Sequence, residues 1–407
     1  LKTDIIGVIK SPALTRKPYY GKISSTYLFD IEQIGDESVT GLAQIRMQTE
    51  KDYGYGDRLL VKGTIRKPAG GDSRFRGNDR SRKEIASSPS APRNDKRRFD
   101  YRAYLERQNI FALINTKENN VTALSRDYKS NPVLKYIYLS RERLKGQIIE
   151  KMPLEYSAFL NALLLGDRSE LPKHIQTSFK NSGTMHVLAI SGLHVGLIVF
   201  FILYLLRLLR VKREWSYCFM IIFLIFFALF TLSRPSVIRA VIMAGVFLIG
   251  MLMGRKVDIY NSLALAALFI LIKNPKDLFN VGFQLSFMAV FFIAYLTPRF
   301  MGIIPSNFDF RVKRYVLTPL MVSASAWIGT FPLVLYYFKV VTPIAIFSNL
   351  LMIPVISILL IGGLGFALLG WVPFIGAFLA GFNSFFCGII FYLADLLSSL
   401  RFGHFYL

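Results

Sequence analysis

The chain has 407 residues, of which 53% are hydrophobic, with a mean hydropathy of +0.41 and a formal net charge of +23. This hydrophobicity excludes a disordered protein, and its concentration after Ser182 indicates a soluble N-terminal half and a membrane-embedded C-terminal half. Cys218 and Cys387 lie in apolar runs, so neither a disulfide framework nor a thiolate metal site is supported. No secretory signal peptide is predicted. The basic excess in both halves suits either a polyanion or anionic lipid with the positive-inside bias.

Residues 1–127 contain short runs of strand-forming residues separated by turn residues. The clearest run is YGDRLLVKGTI, in which Gly54 and Gly56 lead into a strand rich in Leu and Val. Five or six such strands without a long helix predict a small closed or half-closed β-barrel of the OB type. Such a barrel is compatible with binding single-stranded nucleic acid, and equally with a purely scaffolding role.

The strand pattern fails at about residues 69–96, where Gly, Ser, Pro, Arg and Asp dominate. This composition predicts a disordered basic insertion in a surface loop of the β-domain. Its arginines could contact nucleic acid, although a solvated insert is the simpler interpretation.

Residues 128–182 predict an amphipathic helical linker. One face of residues 131–151 is apolar and basic residues lie elsewhere, which is typical of a helix lying along anionic lipid headgroups. Two shorter helices are predicted to follow, one opening at Pro153 and one after Pro172.

Residues 183–407 predict a polytopic α-helical membrane domain of seven or eight spans. Several apolar segments are shorter than the roughly 20 residues of a straight span, so some spans are expected to be broken or tilted. Basic residues concentrate in alternate connections, which places the β-domain outside the cytoplasm. The apolar segments are residues 187–208, 217–232, 235–253, 258–272, 279–297, 315–338, 342–369 and 375–399.

The stretch SGTMHVLAISGLHVG, residues 182–196, places two of the chain's four histidines at the start of the first apolar segment. Ser191 and Gly192 form a weak point in a helix, and Gly192 to Gly196 is a GxxxG step that would let another helix approach closely. His186 and His194 are expected to face the interior of the protein. They could line a polar path or simply hydrogen-bond to neighbouring helices.

Three further motifs place polar residues in apolar helices. SRPSVIRA contains Arg234 and Arg239, and a guanidinium at Arg239 should meet an acid, a carbonyl or a phosphate. NVGFQLSF contains Gln284 and Ser286, and FSNLLMIP contains Asn349. Hydrogen bonding between helices is the alternative role for each of these side chains.

In order along the chain, LLLGDRSELP, the 182–196 stretch, PSVIRA, NPKDLFNVGFQLSF and SNLLMIP closely resemble the competence domain of the ComEC family. Upstream, YGDRLLVKGTI and RRFDYRAYLERQNIFA resemble the OB-like domain of that family. The resemblance covers nearly the whole chain. Family members usually begin with membrane helices, and many end in a metallo-β-lactamase-like domain; this sequence has neither.

The resemblance implies a multi-pass channel of the bacterial inner membrane that carries single-stranded DNA into the cytoplasm during transformation, with the β-domain on the periplasmic or extracellular side. Its implied partners are single-stranded DNA, the lipid bilayer, a DNA receptor, a cytoplasmic motor and a second copy of the chain. No cofactor and no covalent step are implied. Residues expected along the DNA path are His186, Ser191, Gly192, His194, Arg234, Arg239, Gln284, Ser286 and Asn349.

Three alternatives remain open from the sequence. One is a polytopic transporter of a smaller anion, for which internal repeats would be expected and none is seen. The chain could be a truncated, non-functional remnant of such a channel. It could also be an intramembrane enzyme that uses His186 and His194 as metal ligands or as acid and base. On one continuous helix those side chains would be about 80° apart, outside the i, i+4 spacing of helical zinc pairs, and a third ligand is hard to name.

Overall fold

The computed structural model describes residues 2–11, 13, 15–19, 22–48, 53–66, 105, 110–126, 128, 130–254, 258–305, 308–400 and 405–406. The chain divides into two compact units, residues 1–131 and residues 132–407. The predicted insertion at about 69–96 lies outside the described residues.

The first unit is a β-barrel. Its strands are β1 (Lys2–Ile9), β2 (Thr15–Tyr19), β3 (Lys22–Ile34), β4 (Glu37–Gln48), β5 (Arg58–Arg66), β6 (Ile110–Lys117) and β7 (Val121–Ser125). Five of them form a ring in the order β1-β3-β4-β6-β5, which closes because β5 also pairs with β1. β4 and β6 are parallel, and the other pairs of the ring are antiparallel. The predicted small closed barrel is therefore confirmed.

The barrel core follows the two-residue period of its strands. Along β4, Ile45 and Met47 are fully buried and the residue between them is exposed. Gly7 lies where β1 crosses β3 closely: a methyl group there would overlap the Asp30 carbonyl and the Phe29 ring, and the register of the two strands shifts beside it.

The second unit is helical. Its helices are α1 (Pro132–Lys151), α2 (Leu154–Leu164), α3 (Lys173–Asn181), α4 (Gly192–Leu208), α5 (Arg213–Phe230), α6 (Pro235–Leu252), α7 (Ile259–Lys273), α8 (Val281–Ile303), α9 (Thr318–Phe338), α10 (Ala345–Leu369) and α11 (Pro373–Ser398). A short helix, Phe310–Val312, and a π-helical turn, Lys313–Leu317, run directly into α9. β8 (Val340–Val341) and β9 (Phe405–Tyr406) form a small ladder.

Among the described residues, six helices are long and apolar enough to cross a membrane: α5, α6, α8, α9 with its lead-in, α10 and α11. Two shorter apolar helices, α4 and α7, accompany them. The predicted class of a β-barrel followed by a polytopic helical domain is confirmed, and the count of full-length candidates is slightly below the predicted seven or eight.

The three helices before residue 183 are part of the helical unit. α2 is buried along most of its length, and α1, α2 and α3 all contact α11. Two of the basic residues of α1 face the unit: Arg141 is 1% exposed, and Lys145 is paired with Asp167 at 2.8 Å, whereas Arg143 is exposed. The Lys145 ion pair and the hydrogen bond from Lys151 to the Gly370 carbonyl therefore tie α1 to the rest of the unit.

Candidate functional site

The first membrane helix is broken in front of α4. Residues Met185–Leu188 form one turn of 3-10 helix, Ala189 and Ser191 are extended, and α4 begins at Gly192. His186 and His194 therefore lie on different elements and not on one continuous helix. His194 is fully buried, whereas His186 is exposed to solvent.

His194 closes the first turn of α4. Its Nδ1 accepts a hydrogen bond from the Ser191 backbone N–H at 3.1 Å and lies 2.9 Å from the Ser191 hydroxyl. A backbone N–H can only donate, so Nδ1 carries no proton and the neutral ring holds its proton on Nε2. In the part of the chain that the structure describes, the buried Nε2 has no hydrogen-bond partner. His194 thus presents an unused donor to the protein interior.

The GxxxG step does not bring a helix close. Within the described residues, no atom lies within 4 Å of a Cβ built on Gly192 or Gly196. The close approach occurs instead at Gly183, where a Cβ would be 2.6 Å from the Ala345 Cβ and 3.1 Å from the Thr342 Oγ1. Gly183 has a φ of +73°, which favours glycine for a second reason. The stretch is therefore held against the start of α10.

The start of α10 carries Ser348 and Asn349. Ser348 is fully buried, and both its Oγ and the Asn349 Oδ1 have no hydrogen-bond partner among the described residues. A hydrogen bond between helices, the alternative role for Asn349, is thus not made by this oxygen. Both side chains remain available to an internal ligand.

Arg234 is placed by the loop that follows α2. A Cβ on Gly166 would be 2.7 Å from the Arg234 Nε and 3.3 Å from the Ile190 Cδ1, so the arginine crosses the loop beside the broken helix. The charges of Arg168 and Arg234 also act on each other. Sequence reasoning missed Arg168 and Gly166 as site residues, although both belong to the LLLGDRSELP motif.

Arg239, one turn further along α6, faces the start of α8. It is 8% exposed, and its Nε donates to the Ser286 hydroxyl at 3.3 Å. A Cβ on Gly282 would be 3.0 Å from an Arg239 terminal nitrogen, so a side chain there would crowd the guanidinium. The negative charge of Asp277 favours the arginine. Arg239 thus meets a hydroxyl, and an acid acts on it electrostatically.

Gln284 connects two helices. Its side-chain amide donates to the Leu278 carbonyl at 3.0 Å, and its Oε1 accepts from the Tyr337 hydroxyl at 3.0 Å. These contacts match the alternative role of hydrogen bonding between elements.

The four helices that begin near these residues are neighbours. α10, α4, α6 and α8 contact one another in that order, and the close approaches at Gly183, Gly166 and Gly282 all lie at or beside the first turns. We call this arrangement the N-terminal row. Each helix start carries a partial positive charge from its backbone dipoles, and Arg168, Arg234 and Arg239 add full charges. The row is therefore suited to an anion.

Comparisons with known proteins agree with the motifs. A model of the family described as "Competence protein" matches residues 163–407. "ComE operon protein 3" of Bacillus subtilis (strain 168) is 32% identical over 267 residues, 65% of this chain and 32% of that protein. An uncharacterized protein of Aquifex aeolicus (strain VF5) is 30% identical over 253 residues, 61% of this chain and 55% of that protein.

The chain thus spans about a third of the Bacillus protein and about half of the Aquifex protein. No solved structure matches the chain. Because the family model covers more than half of the sequence, the chain belongs to the competence protein family, as its resemblance to the ComEC family predicted.

Proposed function

We propose that this protein conducts single-stranded DNA across the bacterial inner membrane into the cytoplasm during natural transformation. The observation that carries the proposal is the N-terminal row, in which neighbouring helices of an apolar bundle carry three arginines at or beside their first turns. A phosphodiester backbone carries one negative charge per nucleotide, so it needs a polar, cationic route through the apolar layer. Family membership supports a role in DNA uptake, and the row supplies a route of the required charge.

The β-barrel is proposed to bind the DNA backbone outside the cytoplasm, as an OB-type domain. One end of the barrel holds an open cleft of about 750 Å³ whose lining includes Arg46, Lys117 and Lys62, the last 3.9 Å from the Asp4 carboxylate. Tyr27 and Tyr53 form an edge-to-face pair 6.5 Å apart in the barrel core and are not available as stacking platforms. The cleft therefore favours contacts to phosphates over contacts to bases.

The proposed direction follows from charge. Basic residues concentrate at the connection between α4 and α5 and at the lead-in to α9, which by the positive-inside rule face the cytoplasm. The N-terminal row, at the opposite end of α4, then faces the side from which DNA arrives. A DNA receptor, a cytoplasmic motor and a second copy of the chain are proposed partners.

The test is passage of a fluorescent single-stranded oligonucleotide into liposomes that contain this chain. We expect passage with the parent chain and a loss of at least tenfold with Arg239→Ala, with the parent rate falling at high salt. Lys173→Ala is the matched control, because it removes one positive charge from an exposed position on α3. Binding to the liposomes without passage would contradict a channel and would indicate a docking protein or a remnant.

A further inference from the structure

α8 ends and α9 begins at one place on the helical unit. The Thr318 hydroxyl, at the start of α9, lies 3.7 Å from the Met301 sulfur near the end of α8. Two turns further along α9, the Ser325 hydroxyl accepts a hydrogen bond from the Thr297 hydroxyl at 3.1 Å. The segment that runs into α9, which we call the lead-in and which comprises residues 310–317, is therefore fixed beside the last turns of α8.

The lead-in places a guanidinium group on exposed aromatic rings. The Arg314 Cζ lies 5.9 Å from the centroid of the Phe310 ring and 6.0 Å from that of the Tyr315 ring. Phe310 is 70% exposed and Tyr315 is 67% exposed. The last turns of α8 repeat this combination, with the Arg299 Cζ 3.6 Å from the centroid of the Tyr295 ring. A guanidinium that lies over a ring keeps the N–H groups at its edge available to an anion.

Basic residues outnumber acids in the lead-in. Arg311, Lys313 and Arg314 lie within four residues, whereas the sequence of residues 278–394 contains a single acid, Asp309. The Asp309 Oδ1 accepts from two backbone N–H groups in the first turn of the lead-in, at 2.7 and 3.2 Å. The carboxylate thus serves as a helix cap, and three cations face one acid on this surface.

Apolar side chains share the surface with the cations. Val312 and Val316 are each 40% exposed. The lead-in and α9 form one continuous apolar helix, Phe310–Phe338, that is long enough to cross a membrane. This mixture suits the boundary of a bilayer, where apolar side chains meet acyl chains and basic side chains reach the phosphates. A DNA strand would leave the two valines in water, so the observations favour lipid over nucleic acid.

We infer that the lead-in binds the phosphate groups of anionic phospholipids in the cytoplasmic leaflet. Arg311, Lys313 and Arg314 contact the phosphates, and Phe310 and Tyr315 lie where the headgroups meet the acyl chains. The positive-inside rule places this end of the unit in the cytoplasm, and the negative potential of that leaflet attracts basic segments beside a span. The inference goes beyond the proposed function, because it holds whether or not the chain conducts DNA.

The test counts the lipids bound to the full chain in neutral detergent by native mass spectrometry. Phosphatidylglycerol and phosphatidylcholine with the same acyl chains are titrated in parallel, so that only the headgroup differs. Each basic residue near an anionic surface contributes about fivefold in affinity. We expect the parent chain to prefer phosphatidylglycerol by about fivefold or more, and the double variant Arg311→Gln, Arg314→Gln to lose most of that preference.

Arg210→Gln combined with Lys212→Gln is the matched control. It removes two exposed cations from the α4–α5 connection, at the same end of the bundle, and should keep the parent preference. Arg311 and Arg314 are also exposed, so both double variants should keep the thermal midpoint of the parent. A parent chain without a preference overturns the inference. An equal loss in both double variants overturns it as well, because the attraction would then be spread over the whole basic end.

A fluorescein-labelled 15-mer of thymidine, followed by anisotropy, tests DNA as the partner of the lead-in. If Arg311→Gln with Arg314→Gln weakens oligonucleotide binding several-fold and leaves the lipid preference unchanged, the lead-in belongs to the DNA path and the inference is overturned. A parent chain that does not pass DNA into liposomes contradicts the proposed function alone, since the lipid counts do not depend on passage.

Discussion

At the scale of single residues, the glycine at 183 and the glycine at 196 should respond in opposite ways to the same methyl group. Gly183→Ala places a Cβ 2.6 Å from that of Ala345 in a backbone with φ +73°, and we expect a loss of about 2 kcal/mol or more in the free energy of unfolding. Gly196→Ala adds a methyl within α4 where no described atom lies within 4 Å, and a gain of about 0.5–1 kcal/mol is expected. Thermal unfolding of the purified chain in detergent measures both. Equal effects would contradict the close approach.

His194 has two separable roles, one for each ring nitrogen. Asparagine can supply an acceptor near Nδ1 for the Ser191 N–H, whereas glutamine can place a donor near Nε2. We expect His194→Asn to keep the thermal midpoint and lose DNA passage into liposomes. His194→Gln should lose about 1 kcal/mol of stability with the helix cap and keep most of the passage. Two variants that lose passage equally would contradict a role for the Nε2 donor.

At the scale of elements, α1 is held to the helical unit by the Lys145 and Asp167 pair. Burial opposes ionisation of the Asp167 carboxyl, but the Lys145 charge and the hydrogen bonds from Lys145 and Ser169 together lower its pKa from 3.8 to about 2. The contact therefore stabilises the fold above about pH 4, and this contribution is lost as the pH falls from 4 towards 2.

Asp167→Asn should cost roughly 2 kcal/mol at pH 7 and almost nothing at pH 2, because the protonated parent has then lost the same interaction. The measurement is the difference in thermal midpoint between parent and variant across this pH range. Lys145→Gln tests the contact from the other side and should show the same convergence at low pH. A difference that stays constant with pH would show that the carboxylate charge is not what holds α1.

At the scale of the whole molecule, the periodicity of the sequence predicted the strands and helices better than the contacts between them. The barrel and the apolar helices follow from residue patterns that are local. The contact between Arg234 and the Gly166 loop joins residues far apart in the chain, so no spacing of residues in the sequence predicts it. The small residues at Gly192 and Gly196 permitted a close approach, but the approach was made at Gly183, where a left-handed turn brings the backbone against α10.

The burial of Arg141 and Lys145 in α1 could not be predicted for a related reason. A helical period identifies which residues share a face, but it does not reveal that an acid such as Asp167 lies on a neighbouring loop and can pair with one of them. Arg141 and Lys145 therefore read as lipid-facing cations when they are packed inside.

Charge predicts which end of the helical unit faces the cytoplasm. The end formed by the α4–α5 connection and the lead-in to α9 carries Arg210, Lys212, Arg213, Arg311, Lys313 and Arg314. The other end carries Lys273, Lys276 and Lys339, besides the arginines of the N-terminal row. The positive-inside rule places the first end in the cytoplasm. In a chain whose Cys218 and Cys387 are replaced by alanine, a cysteine at Lys276 should react with a membrane-impermeant maleimide in spheroplasts.

A cysteine at Arg311 should react only after the membrane is permeabilised, which makes it the matched control for the label. Both sites precede or begin helices at exposed positions, so access to the reagent and not burial decides the result. The reverse pattern would place the N-terminal row in the cytoplasm. DNA would then meet the arginines last, and the row could not act as the receiving end of the path.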